Sequence, residues 1–194
     1  MTSRRLTLSL PDWVADLLAR KSEVLASDSD RMALAVELSR RNIEHGTGGP
    51  FGAAVFERDT GRLVAAGVNL VPSANCSSAH AEIVALSLAQ QAAGDYDLGR
   101  PGRPTHELVT SSEPCAMCLG AVLWSGVRRV VCGARDEDVR AIGLDEGDKP
   151  PDWPAGLERR GIAVVRHVMR AEAAAVLQAY AAGGGPIYNA RGAE

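Results

Sequence analysis

Two short stretches with metal-binding side chains constrain this chain more than any other feature of its sequence. One contains His80 and Glu82, and the other contains Cys115 and Cys118, directly after Pro114. One imidazole and two thiolates are typical zinc ligands, and three protein ligands leave the fourth tetrahedral position for water, as in catalytic zinc sites. Glu82 follows the histidine closely enough to carry protons to and from that water. The sequence therefore predicts one Zn²⁺ per chain, held by His80, Cys115 and Cys118.

Both stretches are expected at the beginnings of helices. A helix predicted from about Ala79 to Gly94 carries His80 and Glu82 in its first turn, and a proline just before Cys115 is typical of a helix start. The positive end of the helix dipole favours thiolates there. A Cys-x-x-Cys pair alone would also fit a redox pair or a structural zinc site. Neither of those alternatives has a role for the histidine and glutamate on a separate segment.

Composition limits the class of protein. A chain of 194 residues suits one well-buried domain, and we expect a single domain over 1–194 with an N-terminal extension at 1–27, a catalytic core at 28–183 and a tail at 184–194. The net charge of −3 and the absence of a long basic run argue against a nucleic-acid partner. With no apolar run long enough for a signal peptide or membrane span, and no disulfide framework, we expect a cytoplasmic protein without membrane contact.

Alternating strand and helix patterns predict the fold class. Strands are expected at 51–56, 63–70, 107–111, 129–133 and 162–168, and the main helices at 9–20, 28–46, 79–94, 115–126, 136–142 and 171–182. The first two strands form a hairpin through a turn at 59–61. Nearly thirty residues separate the last two strands, enough for a crossover between parallel neighbours. The sequence thus predicts an α/β protein, a three-layer α/β/α sandwich around a mixed sheet of about five strands.

Several segments together carry a resemblance to a known family. They are Pro50 to Val55, Asn69, Ala79 to Glu82, Thr110 to Cys115, Ala141 to Gly147 and a Tyr-Asn-Ala-Arg ending at 188–191. On these segments the chain resembles the cytidine deaminase superfamily, whose zinc deaminases share the His-x-Glu and Pro-Cys-x-x-Cys pairing, and within it the guanine deaminase branch. Leu144 stands where that branch usually carries phenylalanine, and leucine still offers an apolar wall.

The resemblance implies hydrolytic deamination of a free purine base, guanine to xanthine and ammonia. Glu82 would take a proton from water, pass it to the ring nitrogen beside the attacked carbon and help to protonate the departing amine. Glu146 would bind or protonate the exocyclic amine. Guanine presents N1–H and its 2-amino group as neighbouring donors, and a carboxylate can accept from both.

The resemblance also assigns the substrate contacts. Asn69 would hydrogen-bond the ring, Phe51 and Trp124 would form walls of the pocket, and Ala81 would complete the contacts with the base. The tail beyond the glycines at 183–185 resembles a segment that crosses to a partner subunit in this branch. Tyr188 would then cap the partner's site, which implies a homodimer with exchanged tails.

Other interpretations stay open at this point. The substrate could be another base or nucleoside, such as cytosine, a triazine like ammeline, a pterin or adenosine in transfer RNA, and a zinc domain could also be a non-catalytic interaction module. Without the resemblance, Asn69 would be a turn residue and Trp124 a core residue. Glu146 would then belong to a solvated acidic loop with Asp145 and Asp148, and the tail would be a frayed terminus.

Overall fold

The computed structural model describes residues 7–189, and its centre is a five-stranded sheet. The strands are β1 (Gly52–Glu57), β2 (Leu63–Val68), β3 (His106–Ser112), β4 (Arg129–Ala134) and β5 (Ala163–Val165). Their order is β2-β1-β3-β4-β5. β1 is antiparallel to both β2 and β3, whereas β3, β4 and β5 run parallel to one another. The predicted mixed sheet, its hairpin and its parallel last pair are confirmed.

Helices cover both faces of this sheet. They are α1 (Asp12–Leu18), α2 (Asp28–Glu44), α3 (Val71–Ala74), α4 (Ala81–Ala93), α5 (Ala116–Ser125), α6 (Asp136–Ala141), α7 (Trp153–Glu158) and α8 (Arg170–Ala182). α2 and α8 pack on one face, and α4, α5 and α7 pack on the other. The three-layer α/β/α sandwich is therefore confirmed. Within residues 7–189, no helix is both long enough and apolar enough to cross a membrane.

Neighbouring residues of the central strands supply two separate cores. Val55 in β1 and Leu108 in β3 belong to the core beneath α4 and α5, whereas Phe56 and Val109, the next residues in each strand, belong to the core beneath α2. Side chains alternate between the faces of a strand, so a strand covered on both faces is apolar throughout. This explains why these strands appear in the sequence as apolar runs without alternation.

The N-terminal segment is joined to the rest of the fold. Val14 and Leu17 of α1 are buried in the core beneath α2. The ring of Trp13 stacks on His45 with centroids 5.1 Å apart, and its Nε1 donates to Thr47 Oγ1 at 3.2 Å. Residues 1–6 of the predicted extension, and Ala190 and Arg191 of the tail motif, lie outside the described residues.

Three local predictions differ from the structure. The strand expected at 162–168 is only Ala163–Val165, because His167 and Met169 adopt positive φ angles of 69° and 51° that end the extended backbone. Two short helices, α3 and α7, lie where only loop was expected. Both carry a proline in the first helical turn, where its missing N–H costs nothing, and such a short segment lacks the periodicity that would predict it.

Candidate active site

The three predicted metal ligands come together where two helices begin. His80 is the N-cap residue of α4, Cys115 is the N-cap residue of α5, and Cys118 lies in the first turn of α5. Their ligand atoms all lie within 4.8 Å of one another. The Cys115 Sγ to His80 Nδ1 distance is 3.6 Å. Residues from segments 35 positions apart thus converge on one point, with both helix dipoles directing their positive ends toward it.

The geometry and charge of this cluster fit a zinc ion. Tetrahedral zinc with usual Zn–S and Zn–N lengths places its ligand atoms about 3.5 to 3.8 Å apart, and the Cys115 to His80 distance of 3.6 Å lies in that range. Hydrogen bonds from Cys118, followed by those from His80, lower the pKa of the Cys115 thiol to about 4. Thiolate is the metal-binding form of cysteine, so this site is prepared for a cation.

Glu82 lies in the first turn of α4, next to the ligands. Its side chain is buried, and Oε2 accepts from Cys118 Sγ at 3.4 Å. Burial, assisted by the negative charge of Cys115, raises the pKa of Glu82 above its usual value. A raised pKa makes the carboxyl a stronger proton acceptor, and the role predicted for it is to carry protons.

A cavity of about 390 Å³ opens beside these residues. Its surface includes the predicted residues Phe51, His80, Glu82, Leu144, Glu146 and Tyr188. Phe51 and Leu144 contribute apolar surface, so leucine at 144 does form a wall of the pocket as expected. The volume lies at the small end of the range for ligand pockets, which suits a compact ligand.

Glu146 reaches this cavity from the loop that follows α6. Its carbonyl oxygen accepts from Ala116 N at 2.9 Å, which attaches the loop to the start of α5. The side chain is only 6% exposed, and its Oε2 has no hydrogen-bond partner within the described chain. Burial raises the pKa of Glu146 to about 9, although the ammonium of Lys149 opposes that rise. The alternative of a solvated acidic loop therefore fails at this position.

The described part of the tail folds over the cavity of its own chain. Asn189 Nδ2 donates to Gly143 O at 2.9 Å, and Asn189 Oδ1 accepts from Asp145 N at 2.8 Å. The Tyr180 hydroxyl donates to Pro186 O at 2.6 Å. These bonds hold Tyr188 on the cavity surface, and the crossing of the tail to a partner's site stays a prediction.

Asn69 is fully buried next to the Tyr188 hydroxyl. Its Oδ1 accepts from Gly49 N at 3.3 Å and from Val71 N at 3.2 Å. These two donors fix the orientation of the amide and leave Nδ2 without a partner. One side of the amide therefore stabilises a turn, as the alternative interpretation held. The other side lies next to the Tyr188 hydroxyl, and Tyr188 lines the cavity.

Comparison with known proteins agrees with this geometry. The family model for the cytidine and deoxycytidylate deaminase zinc-binding region matches residues 25–134, which include the three ligands and Glu82. The chain belongs to this deaminase family. The superfamily predicted from the sequence is therefore confirmed.

The relatives of this deaminase include proteins of known structure. A solved guanine deaminase from Nitrosomonas europaea is 50% identical, covers 94% of this chain and 99% of its own, and has a TM-score of 0.89. A solved complex with 2,6-diaminopurine is 52% identical, covers 95% of this chain and 97% of its own, and has the same TM-score. The guanine deaminase of Bacillus subtilis (strain 168) is 36% identical over 61% of this chain and 75% of its own length.

Two predicted substrate contacts of this deaminase are not made by side chains in the cavity. Trp124 is 86% exposed on the outer surface of α5, so the prediction that it forms a pocket wall within this chain is wrong. Cys118 and Trp124 are six residues apart, and at about 100° per residue they lie about 120° apart around the helix. The two side chains therefore lie on different faces of α5. The Ala81 side chain is fully buried in the core between α4 and the sheet, where it does not face the base.

Two residues that hold the deaminase site were missed. Asn42 is fully buried, and its Nδ2 donates to both Gly49 O and Asn69 O at 2.8 Å. In the sequence it resembles any polar residue near a helix end. Lys149 lies beside Glu146 with a buried side chain. The one feature of the sequence that could have indicated Lys149 is that lysine is rare. It occurs only at positions 21 and 149 in a chain otherwise rich in arginine.

Proposed function

We propose that this protein is a zinc-dependent guanine deaminase that converts guanine and water to xanthine and ammonia. The observation that supports this most strongly is a set of buried polar atoms without hydrogen-bond partners: Asn69 Nδ2, Glu146 Oε2 and the Tyr188 hydroxyl. A fourth such atom, Asp136 Oδ1, already faces the ammonium of Lys149 at 2.8 Å. Unpaired buried groups cost free energy. Glu146 and Tyr188 line the cavity, and Asn69 lies next to the Tyr188 hydroxyl, so these atoms indicate a ligand that pairs with them.

Guanine has the complementary pattern. Its N1–H suits the accepting oxygen of Glu146, and its neighbouring 2-amino nitrogen lies where Glu146 would give its proton. Its ring acceptors suit the amide donor of Asn69. Phe51 and Leu144 cover the flat apolar faces of the base. The close similarity to a guanine deaminase and to a complex with 2,6-diaminopurine supports the same substrate class. The small cavity beneath the tail favours a free base over a transfer RNA.

His80, Cys115 and Cys118 would hold the zinc ion, which supplies an activated water as the nucleophile near neutral pH. Glu82 would accept a proton from the attacking water and give it to N3, the ring nitrogen beside C2. Glu146, whose raised pKa favours the protonated form, gives its proton to the departing amine. Glu82 takes the second proton of the former water as the C2 carbonyl of xanthine forms. Exchange with solvent then restores both carboxyls.

Glu146→Gln tests this proposal, with Asp148→Asn as its control. Glutamine keeps the shape of the side chain but has no proton to give, so we expect guanine turnover to fall at least about 10²-fold while zinc stays bound. Asp148 is exposed in the same loop, and its replacement should change little. If both variants were as fast as the unaltered protein, Glu146 would have no catalytic role and the case for guanine would fail.

A screen of ammonia release tests the substrate directly. Guanine should be deaminated faster than cytosine, cytidine, adenosine and ammeline. Faster deamination of cytidine would contradict the guanine assignment, although the deaminase family would stand.

We also propose that the protein is a cytoplasmic homodimer. α5 carries exposed apolar side chains at Met117, Leu123 and Trp124, and Met117 also lines the cavity, so an apolar surface continues outward from the active site. A second copy covering it would bury Trp124. Light scattering should give twice the chain mass, and Trp124→Ser should shift it toward the monomer. None of the four cysteines forms a disulfide, which supports a reducing compartment.

Exchange of the tail between the two subunits is a separate prediction. Asn189 bonds to Gly143 and Asp145 at the edge of the cavity, and in a homodimer the same bonds could come from the tail of either subunit. Co-expression of Glu82→Gln with Tyr188→Ala distinguishes the two arrangements. Mixed dimers contain one intact site only if the tail crosses, so recovered activity would demonstrate exchange and continued inactivity would exclude it.

A further inference from the structure

Lys149 is a buried cation beside the active site that the proposed mechanism does not use. Its side chain is only 5% exposed. The ammonium Nζ donates to Pro114 O at 3.0 Å and lies 2.8 Å from Asp136 Oδ1 and 3.7 Å from Glu146 Oε2. It also lies 5.5 Å from the ring centroid of Trp153. A charge is buried in this way only when its partners compensate the lost hydration, so these contacts define where Nζ can sit.

Two of these contacts connect opposite sides of the catalytic cavity. Pro114 directly precedes the metal ligand Cys115, whereas Glu146 belongs to the loop after α6. A second bond between the same two segments, Ala116 N to Glu146 O at 2.9 Å, holds the backbone of the loop. The backbone bond holds the main chain of the loop against the start of α5. The ammonium of Lys149, in contrast, contacts the carboxyl group of Glu146 itself.

The carboxyl of Glu146 has few other restraints. Its Oε2 accepts no hydrogen bond, and within residues 7–189 its one ion-pair contact is with Lys149. Asp136 faces the same ammonium and carries negative charge, with Arg140 Nε at 2.7 Å on its other oxygen. The ammonium faces both Asp136 and the Glu146 carboxyl in a poorly hydrated space, where charges interact strongly. Without it, no hydrogen bond or ion pair within residues 7–189 would hold the carboxyl at this position.

We propose that Lys149 is a positioning residue that holds the Glu146 carboxyl at the edge of the cavity by linking it to the Pro114 carbonyl. Lys149 touches no reacting atom and acts through Glu146. A compact ammonium with three donors suits a site with three acceptors in different directions, whereas a planar guanidinium does not. This explains a lysine at 149 in a chain with 19 arginines and only one other lysine. The inference rests on the proposed deaminase function and names a further determinant of its rate.

A double-mutant cycle tests this role. Lys149→Met keeps the length of the side chain and removes its charge, and it is made in the unaltered protein and in Glu146→Gln. We expect kcat on guanine to fall about 10-fold or more in the unaltered protein, with zinc content unchanged, and to fall no further in the Glu146→Gln background. The matched control is Lys21→Met, because Lys21 is the other lysine and pairs with Glu37 far from the cavity. It should leave kcat unchanged.

The outcomes separate this inference from the proposed function. An equal loss of kcat in both backgrounds, or no loss in either, would overturn the role of Lys149, because a general structural defect does not depend on Glu146. If Lys149→Met does not yield folded zinc protein, the same cycle is run with Lys149→Arg, which retains the charge in a different shape. Failure of the unaltered protein to release ammonia from guanine would instead overturn the proposed function, and this inference with it.

Discussion

The two sides of the active site are built differently. The metal side, with its three ligands and Glu82, lies at the first turns of α4 and α5, which pack on the sheet. The substrate side, with Glu146 and Tyr188, lies on a loop and on the tail. Metal coordination tolerates displacements of only a few tenths of an ångström, so its ligands lie on regular elements. The residues that select and enclose the base lie on segments that few bonds hold.

The contrast is visible in backbone packing. A Cβ atom on Gly67 of β2 would lie 2.3 Å from Ala81 O and 2.5 Å from Ala85 N of α4, so strand and helix touch without side chains between them. This contact fixes the helix that begins with His80 and Glu82. The tail, in contrast, is held mainly by side-chain hydrogen bonds of Asn189 and Tyr180. We infer that the substrate side opens at a lower free-energy cost than the metal side.

The largest effect should come from breaking the metal side. Cys115→Ala removes a ligand, so we expect loss of both bound zinc and all measurable turnover. Because metal binding contributes to folding free energy, the variant and the chelated protein should also unfold at lower temperature than the zinc protein. Metal analysis and thermal unfolding measure this. Full zinc and activity in the variant would show that the ligand assignment is wrong.

Glu82→Gln should separate chemistry from structure on the same side. Glutamine keeps the packing in the first turn of α4 but cannot carry a proton, so turnover should fall at least about 10²-fold. Zinc content and the unfolding temperature should stay close to those of the unaltered protein. Near-normal turnover would rule out Glu82 as the proton carrier.

A smaller effect is expected from removing the tail. Deletion of residues 184–194 takes away Tyr188 and opens the cavity, so we expect turnover to fall about 10-fold while zinc content stays constant. We expect turnover to fall without loss of zinc because none of the three metal ligands lies on the tail. Parallel loss of zinc and turnover would show that the sides are not independent.

The smallest effect should come from displacing the tail instead of deleting it. A Cβ atom on Gly49 would lie 2.3 Å from the Tyr188 hydroxyl, so Gly49→Ala should push the tail away and lower turnover several-fold. In a Tyr188→Phe background the hydroxyl is absent, and the added methyl group should cost less. Measured ratios of kcat in the two backgrounds check this, and an equal cost would mean that Gly49 acts elsewhere.

The metal side was predictable because its chemistry is local. His80, Cys115 and Cys118 are recognisable by residue type and spacing, and α4 begins at Ala81, two residues after the predicted start. The order of strands and helices was likewise readable from apolar runs and turn residues. The ends of β5 and the presence of α7 were not, since single φ angles and a buried Trp153 decide them.

On the substrate side, residues that look alike in the sequence differ in how deeply the structure buries them. Asp145, Glu146 and Asp148 form one acidic loop, yet only Glu146 is buried, because Ala116 and Lys149 hold it against α5. The apolar Trp124 was expected in the pocket and lies in solvent. No local pattern distinguishes these cases.

By itself the sequence determined the cluster of metal-binding residues, the position of Glu82 beside it and the layered α/β/α fold, because residue type and periodicity act within a few positions of the chain. Only the tertiary structure decided which acidic residue is buried, where Trp124 faces and that the described tail lies over the cavity. Those outcomes depend on contacts between segments distant in the chain, such as Lys149 with Pro114 and Asn189 with Gly143. These contacts stabilise the fold because water is excluded around the paired polar groups. A single segment of the chain cannot exclude water in this way.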